Sequence, residues 1–153
     1  MHNNISVSET PSLSLFAVSC KGVQNISSAY AELTEWAIAE SLLDANTQMC
    51  TIYKDSFRTT PPNEVRMLAG FISSATKTLP DSIQPITLPG GKHIIGSYTI
   101  SPEHFGKEWA ALFAWMKENG YQWNENSPFE IYHNDFRSHP QGLARVDFYI
   151  PIL

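Results

Sequence analysis

Glu130 has the most pointed chemistry in the chain. It sits in Phe129-Glu130-Ile131-Tyr132, a run that reads as a strand. A carboxylate among apolar strand neighbours is costly unless it is paired or solvated by a cavity. So placed, it would attract a cation or, with a pKa raised by burial, act as an acid or base. The competing reading turns it outward to water. Tyr132 shares its face, because strand side chains repeat every two residues. Tyr53 occupies the corresponding place in the first half of the chain. Two tyrosines and a carboxylate suit a flat or cationic organic molecule, held by stacking and cation–π contact. The tyrosines read equally as core fillers. Trp36 and Trp115 join them as candidate ligand contacts that also suit packing, and Trp123 as a cover for one end of a groove.

Other chemistries lack their residues. His2, His93, His104, His133 and His139 are scattered, with neither zinc-site spacing nor a cysteine cluster. Gly90-Gly91 opens no phosphate loop, and there is no Gly-x-Ser-x-Gly elbow. No metal and no cofactor are therefore expected. Arg145 and Asp147 read as surface charges, and Cys20 and Cys50 as buried reduced thiols.

The elements that would position Glu130 come from a duplication. An offset of 79 residues lays 12–74 on 91–153 without a gap. Tyr30 then meets Trp109, Ala31 meets Ala110, Leu33 meets Leu112 and Trp36 meets Trp115. Ile52-Tyr53 meets Ile131-Tyr132, Phe57-Arg58 meets Phe136-Arg137, Pro61 meets Pro140 and Arg66 meets Arg145. Thr51 meets Glu130, and this chemical disagreement makes the glutamate a candidate for function, beside the reading that turns it outward to water.

Each half reads strand, helix, strand, strand. Ser101-Pro102-Glu103 carries helix-start signals, and Trp109, Leu112, Phe113 and Met116 make one apolar face before Asn119-Gly120 ends the helix. In the first half Ser27 or Ser28 caps a helix bearing Tyr30, Leu33 and Ala37, running to about Leu43. Strands are expected at 13–20, 49–55, 64–72, 92–99, 129–135 and 144–152. In the last, Val146, Phe148, Ile150 and Ile152 alternate with Arg145, Asp147 and Tyr149. Residues 58–63 and 137–142 read as hairpin connections, 75–90 as a linker, and the first twelve residues as a frayed arm or an extra edge strand. The fold class is α+β: a tandem, pseudo-twofold repeat of strand-helix-strand-strand (SHS2-type) modules, one at about 12–74 and one at about 91–153. An antiparallel sheet and two main helices would surround a central groove.

Composition bounds the partners. The 153 residues are 42% hydrophobic and 16% charged, with a net charge of −5 and a pI near 5.4. That suits one folded domain and gives no basic face for direct nucleic-acid binding. No stretch reads as a signal peptide or a bilayer span, so a soluble, cytoplasmic protein with no membrane partner is expected.

The chain also resembles a known family. Tyr30 to Trp36 and Trp109 to Trp115 look like the helix signature of GyrI-like domains. These are the effector-binding domains of AraC-type and MerR-type bacterial regulators and the stand-alone gyrase inhibitory proteins. Pro128-Phe129-Glu130-Ile131-Tyr132-His133-Asn134-Asp135 resembles the family's most recognisable motif, and Val146 to Ile152 its closing strand. The resemblance covers about 12–153 and implies that Glu130 is the pocket glutamate, which in drug-sensing members faces cationic aromatic ligands. Where many members carry Gly-Pro-Tyr, this chain reads Lys21-Gly22-Val23 and Gly96-Ser97-Tyr98, which puts the pocket mouth and the ligand's identity in question. No helix-turn-helix is legible, so a stand-alone member is expected. Three functions follow: binding of a lipophilic, cationic small molecule, the leading one; inhibition or modulation of DNA gyrase by protein contact; and hydrolysis of a reactive ligand by Glu130 with Tyr132.

Overall fold

The computed structural model describes residues 4–56, 59–135 and 138–153. Among the described residues the protein is α+β, with eight strands, two main helices and antiparallel pairing in each unit. It divides into two compact units, Ser12–Pro89 and Met1–Pro11 with Gly90–Leu153.

The Ser12–Pro89 unit holds β2 (Leu13–Lys21), α1 (Ile26–Ala39), β3 (Met49–Tyr53), β4 (Arg66–Ile72) and β5 (Gln84–Leu88). β4 pairs with both β3 and β2, and β2 with β5. From Met67 to Phe71 β4 is buried at every residue, as expected of a strand covered on both faces. α1 turns Ala29, Leu33 and Ala37 inward. They pack with Phe16, Val18, Ala69 and Phe71 into one apolar cluster.

The other unit holds β1 (Ile5–Thr10), β6 (Gly91–Ile100), α2 (Phe105–Glu118), β7 (Phe129–Tyr132) and β8 (Ala144–Pro151). β6 pairs with β1 and β8, and β8 with β7. Along β8, Val146, Phe148 and Ile150 are buried while Arg145 is exposed. α2 buries Trp109, Leu112 and Met116, and the Trp109 and Phe148 rings stack with centroids 4.3 Å apart. The alternation of β8 thus gives its unit an apolar face against α2 and a polar face opposite.

Of the two readings of the polar N-terminal residues, the extra strand holds: β1 pairs with β6. Several other local expectations need correction. The segment 75–90, read as a linker, contains β5. Its Gln-Pro-Ile-Thr-Leu sequence pairs along one side with β2 and needs little apolar content. α1 starts at Ile26 after Asn25 and stops at Ala39; neither Ser27 nor Ser28 caps it, and it does not reach Leu43. The chain leaves it through Ser41 with a left-handed φ of 56°. Ser101 opens a short 3-10 turn, Pro102–His104, rather than α2 itself. Gly120 follows α2 with φ 77°, the conformation glycine admits most readily. Phe57, Arg58, Phe136, Arg137 and His2 lie outside the described residues. Cys20 is half-buried and Cys50 buried, and burial pushes the Cys20 thiol pKa up.

Candidate functional site

Glu130 points inward. It is 1% exposed and lies on β7 opposite Phe148 of β8, on the face covered by α2. The Trp109 indole Nε1–H donates to its Oε1 at 2.7 Å, and the Tyr132 hydroxyl donates to its Oε2 at 2.5 Å. The sequence explains this arrangement. Glu130 and Tyr132 are two residues apart on one strand and share a face, while Trp109 belongs to the buried stripe of α2. Two donors on two oxygens offset part of the large cost of removing a carboxylate from water.

Aromatic rings enclose this carboxylate. Trp109 lies parallel on Phe148. Phe105, the first residue of α2, meets Phe148 edge-on at 5.4 Å and stacks towards Tyr132 at 6.4 Å. Tyr98 on β6 lies 4.9 Å from Phe148. Its ring folds back over Gly96, where an added Cβ would sit 2.8 Å from Tyr98 Cζ. Burial, reinforced by the charge of Glu108, pushes the Tyr98 hydroxyl pKa up to about 12. Tyr98 therefore remains a neutral phenol at any physiological pH.

The residue offset of 79 gives a comparison within the chain. In the first unit Thr51, 1% exposed, holds the place of Glu130, and its hydroxyl meets the Tyr30 hydroxyl at 2.6 Å. Tyr30 in turn holds the place of Trp109. Each unit thus ties its helix to a strand by a polar side-chain contact, α1 to β3 and α2 to β7, but only the second uses an acid. Phe148, Phe105 and Tyr98 correspond to Ala69, Ile26 and Ser19. The aromatic enclosure and the carboxylate occur together in one unit.

The other candidates are placed differently. Trp115 is six residues beyond Trp109, about 240° round the helix, and stacks on Tyr121 at 5.9 Å. Trp36 meets Phe16 at 5.4 Å and Phe71 at 6.4 Å, against the core of its own unit. Among the described residues Trp115 has no ring contact with the Glu130 cluster. Tyr53 ends β3, on the same face as Thr51. Trp123 bridges to Ile152 and donates its indole N–H to the Asn126 carbonyl at 2.7 Å.

In the sequence Trp109 and Phe148 lie on apolar faces, Phe105 carries no signal, and Tyr98 enters only within Gly96-Ser97-Tyr98 at the expected pocket mouth. Trp109 is core, and it is also the donor that holds Glu130. The signal was present in the pairing of an indole on the helix stripe with an acid on the facing strand. Arg145 and Asp147 lie on the opposite face of the sheet, as expected. Asp147 is not simply solvated, however: His133 Nε2–H donates to its Oδ2 at 2.9 Å. Among the described residues no group of three or more His, Cys, Asp and Glu is placed to hold a metal, and no helix is long and apolar enough to cross a membrane.

The model of the GyrI-like small molecule binding domain matches residues 9–153 of this sequence. The chain belongs to this family. Solved structures share the GyrI-like fold at low identity. The EcmrR C-terminal domain superposes with a TM-score of 0.77 at 14% identity, covering 97% of this chain and 96% of that one. In a complex of EcmrR with DNA the TM-score is 0.81 at 12% identity, and this chain, 97% covered, spans only 56% of the EcmrR chain. The protein SAV2435, solved bound to tetraphenylphosphonium, gives 0.66 at 9% identity, covering 97% and 93%. A Listeria innocua protein described as a hydrolase gives 0.67 at 10%, covering 98% and 92%. Among curated proteins none matches significantly.

Proposed function

We propose that this GyrI-like protein binds a lipophilic organic cation, with Glu130 supplying the counter-charge and Tyr132, Trp109, Phe105, Phe148 and Tyr98 supplying aromatic surface. The observation that carries this reading is a carboxylate held inside an aromatic enclosure in one unit, where the matching position of the other has a neutral threonine. A delocalised cation gains from both features: its charge meets Glu130 away from water, and its apolar surface meets rings. Because Glu130 is almost wholly covered, the half-exposed Tyr132 ring must swing aside for a ligand to reach it. The ligand then replaces one hydrogen bond with an ion pair. Tyr53, Trp36 and Trp115 remain proposed ligand contacts, outside the Glu130 cluster. The matching helix-to-strand contacts 79 residues apart support two tandem strand-helix-strand-strand modules, at about 12–74 and 91–153.

The SAV2435 likeness makes tetraphenylphosphonium the natural probe. Calorimetric titration is expected to show saturable one-to-one binding, weakened at least tenfold in Glu130→Gln. Absence of saturable binding to this cation and to cationic dyes would sink the reading.

A second reading is hydrolysis of a reactive ligand. It rests on the hydrogen bond between Glu130 and Tyr132, which gives a base beside an acid. Both carboxylate oxygens are already hydrogen-bonded, so Glu130 can activate water only after the same opening. Turnover of activated esters that vanishes in Glu130→Gln while binding survives would favour it. The structure offers no observation specific to DNA gyrase; a supercoiling assay that responds to the protein and tolerates Glu130→Gln would favour that role.

A further inference from the structure

The two units treat one duplicated arginine in different ways. In the Ser12–Pro89 unit, Arg66 is neutralised. Its Nη2–H donates to Asp55 Oδ1 at 2.7 Å and its Nε–H to Oδ2 at 2.9 Å. The same carboxylate accepts the Arg66 backbone N–H at 3.0 Å. Seventy-nine residues on, Arg145 takes the place of Arg66 and Asn134 that of Asp55. Asn134 keeps the backbone role: its Oδ1 accepts the Arg145 N–H at 2.8 Å, and its Nδ2–H donates to the Leu143 carbonyl at 3.0 Å. It carries no charge. The Arg145 guanidinium forms no ion pair among the described residues and makes one hydrogen bond, to the His133 carbonyl at 3.2 Å.

This guanidinium lines an open cleft of about 230 Å³ on the polar face of β6 and β8, away from Glu130. Ser97 and Thr99 of β6 line it too, directly across from Asp147 and Arg145 in the strand register. His133 and Asp147 complete this side of the cleft. Asp147, the one acid in this lining, accepts the His133 N–H. The first unit has none of these companions: Ser97, Thr99, His133 and Asp147 correspond to Val18, Cys20, Lys54 and Leu68.

We infer that this cleft is a second ligand site, for an oxyanion: a phosphate or carboxylate group gripped by the Arg145 fork and the Ser97 and Thr99 hydroxyls. A planar guanidinium matches two oxygens of either group, and neighbouring hydroxyls serve the rest. Its occupant binds on the face of the sheet opposite Glu130, so the protein can carry an anion and a cation at once.

The test follows the Arg145 Nε–H resonance during titration with inorganic phosphate, and separately with acetate, at constant ionic strength. Wild-type protein is expected to show a saturable shift. Asn134→Asp installs the carboxylate that neutralises Arg66 in the other unit, and it is expected to weaken binding at least tenfold while keeping the arginine. Should that variant fail to fold, Arg145→Lys carries the same test, keeping the charge without the fork and losing most of the affinity; calorimetry reads that variant. A response to phosphate alone assigns a phosphorylated ligand, and an equal response to acetate a carboxylate; both support the site. No saturable shift in wild type, or equal affinity in wild type and the folded variants, overturns it.

Discussion

The buried Glu130 carboxylate should respond very differently to two replacements. In Glu130→Gln the Trp109 indole, which can only donate, forces the amide oxygen towards itself. The amide N–H then faces Tyr132, whose hydroxyl can rotate to accept. Both bonds survive as neutral ones. A charge-assisted bond is worth about 1.5–3 kcal/mol against about 0.5–1.5 for a neutral one. The pair therefore loses about 2 kcal/mol, and relief from burying a charge returns part of that. The net cost should stay below about 2 kcal/mol. Glu130→Ala instead leaves the Trp109 N–H, in a 1% exposed side chain, with no acceptor, and opens a cavity. Those effects together cost about 2–5 kcal/mol. Urea denaturation followed by tryptophan fluorescence measures both variants. Repeating Glu130→Ala in a Trp109→Phe background removes the orphaned donor, so its cost should shrink by about 1–2 kcal/mol. If alanine costs no more than glutamine, or if Trp109→Phe leaves the cost of alanine unchanged, the hydrogen bond between α2 and β7 does not hold the site.

Other expectations follow from the same geometry. The Arg66 guanidinium beside Asp55 lowers its carboxyl pKa to about 2 from 3.8. Stability from this pair is thus present above the unfolded value and lost as pH falls through the folded one; a carboxyl titration by NMR should find the low midpoint, and Arg66→Met should return it to the ordinary range. Gly96→Ala pushes Tyr98 off Phe148, costing about 1–3 kcal/mol through overpacking; unchanged urea stability would contradict the close approach. Tyr98, with its pKa raised, should keep wild-type protein unionised at this site as pH rises past 10 and lose that stability by about 12. Tyr98→Phe should show a shallower alkaline loss of stability.

Much of the fold is legible in the sequence because periodicity and burial agree. β8 alternates strictly, α2 carries an unbroken apolar stripe, and both follow from one buried face. β5 escapes such reading, and β1 stays open between a frayed arm and an edge strand. Each is polar or proline-bearing, and its pairing is determined by the partner strands β6 and β2 rather than by its own pattern. The start of α1 is illegible for a related reason: Asn25 precedes it without a side-chain cap, so no local hydrogen bond distinguishes it from Ser27 or Ser28. In the site, Glu130 stands out because an acid replaces a threonine between duplicated strands. Its partnership with Trp109 depends on how α2 lies on the sheet, which no spacing within the chain specifies. The tryptophans at 36 and 115 look equivalent by sequence and are equivalent in position, yet Trp36 packs on its unit's core while Trp115 stacks on Tyr121. Identity of residue between the halves does not determine the neighbour.

The central claim is that Glu130 supplies charge to a ligand, and it is tested most directly by two ions of one shape and opposite sign. Tetraphenylphosphonium and tetraphenylborate present nearly the same apolar surface, so their affinity ratio isolates the electrostatic part. Calorimetry on wild-type protein should show the cation bound at least tenfold more tightly, and Glu130→Gln should bring the two affinities close together. A wild-type protein that binds both ions equally, or a variant that keeps the full preference for the cation, would contradict the account.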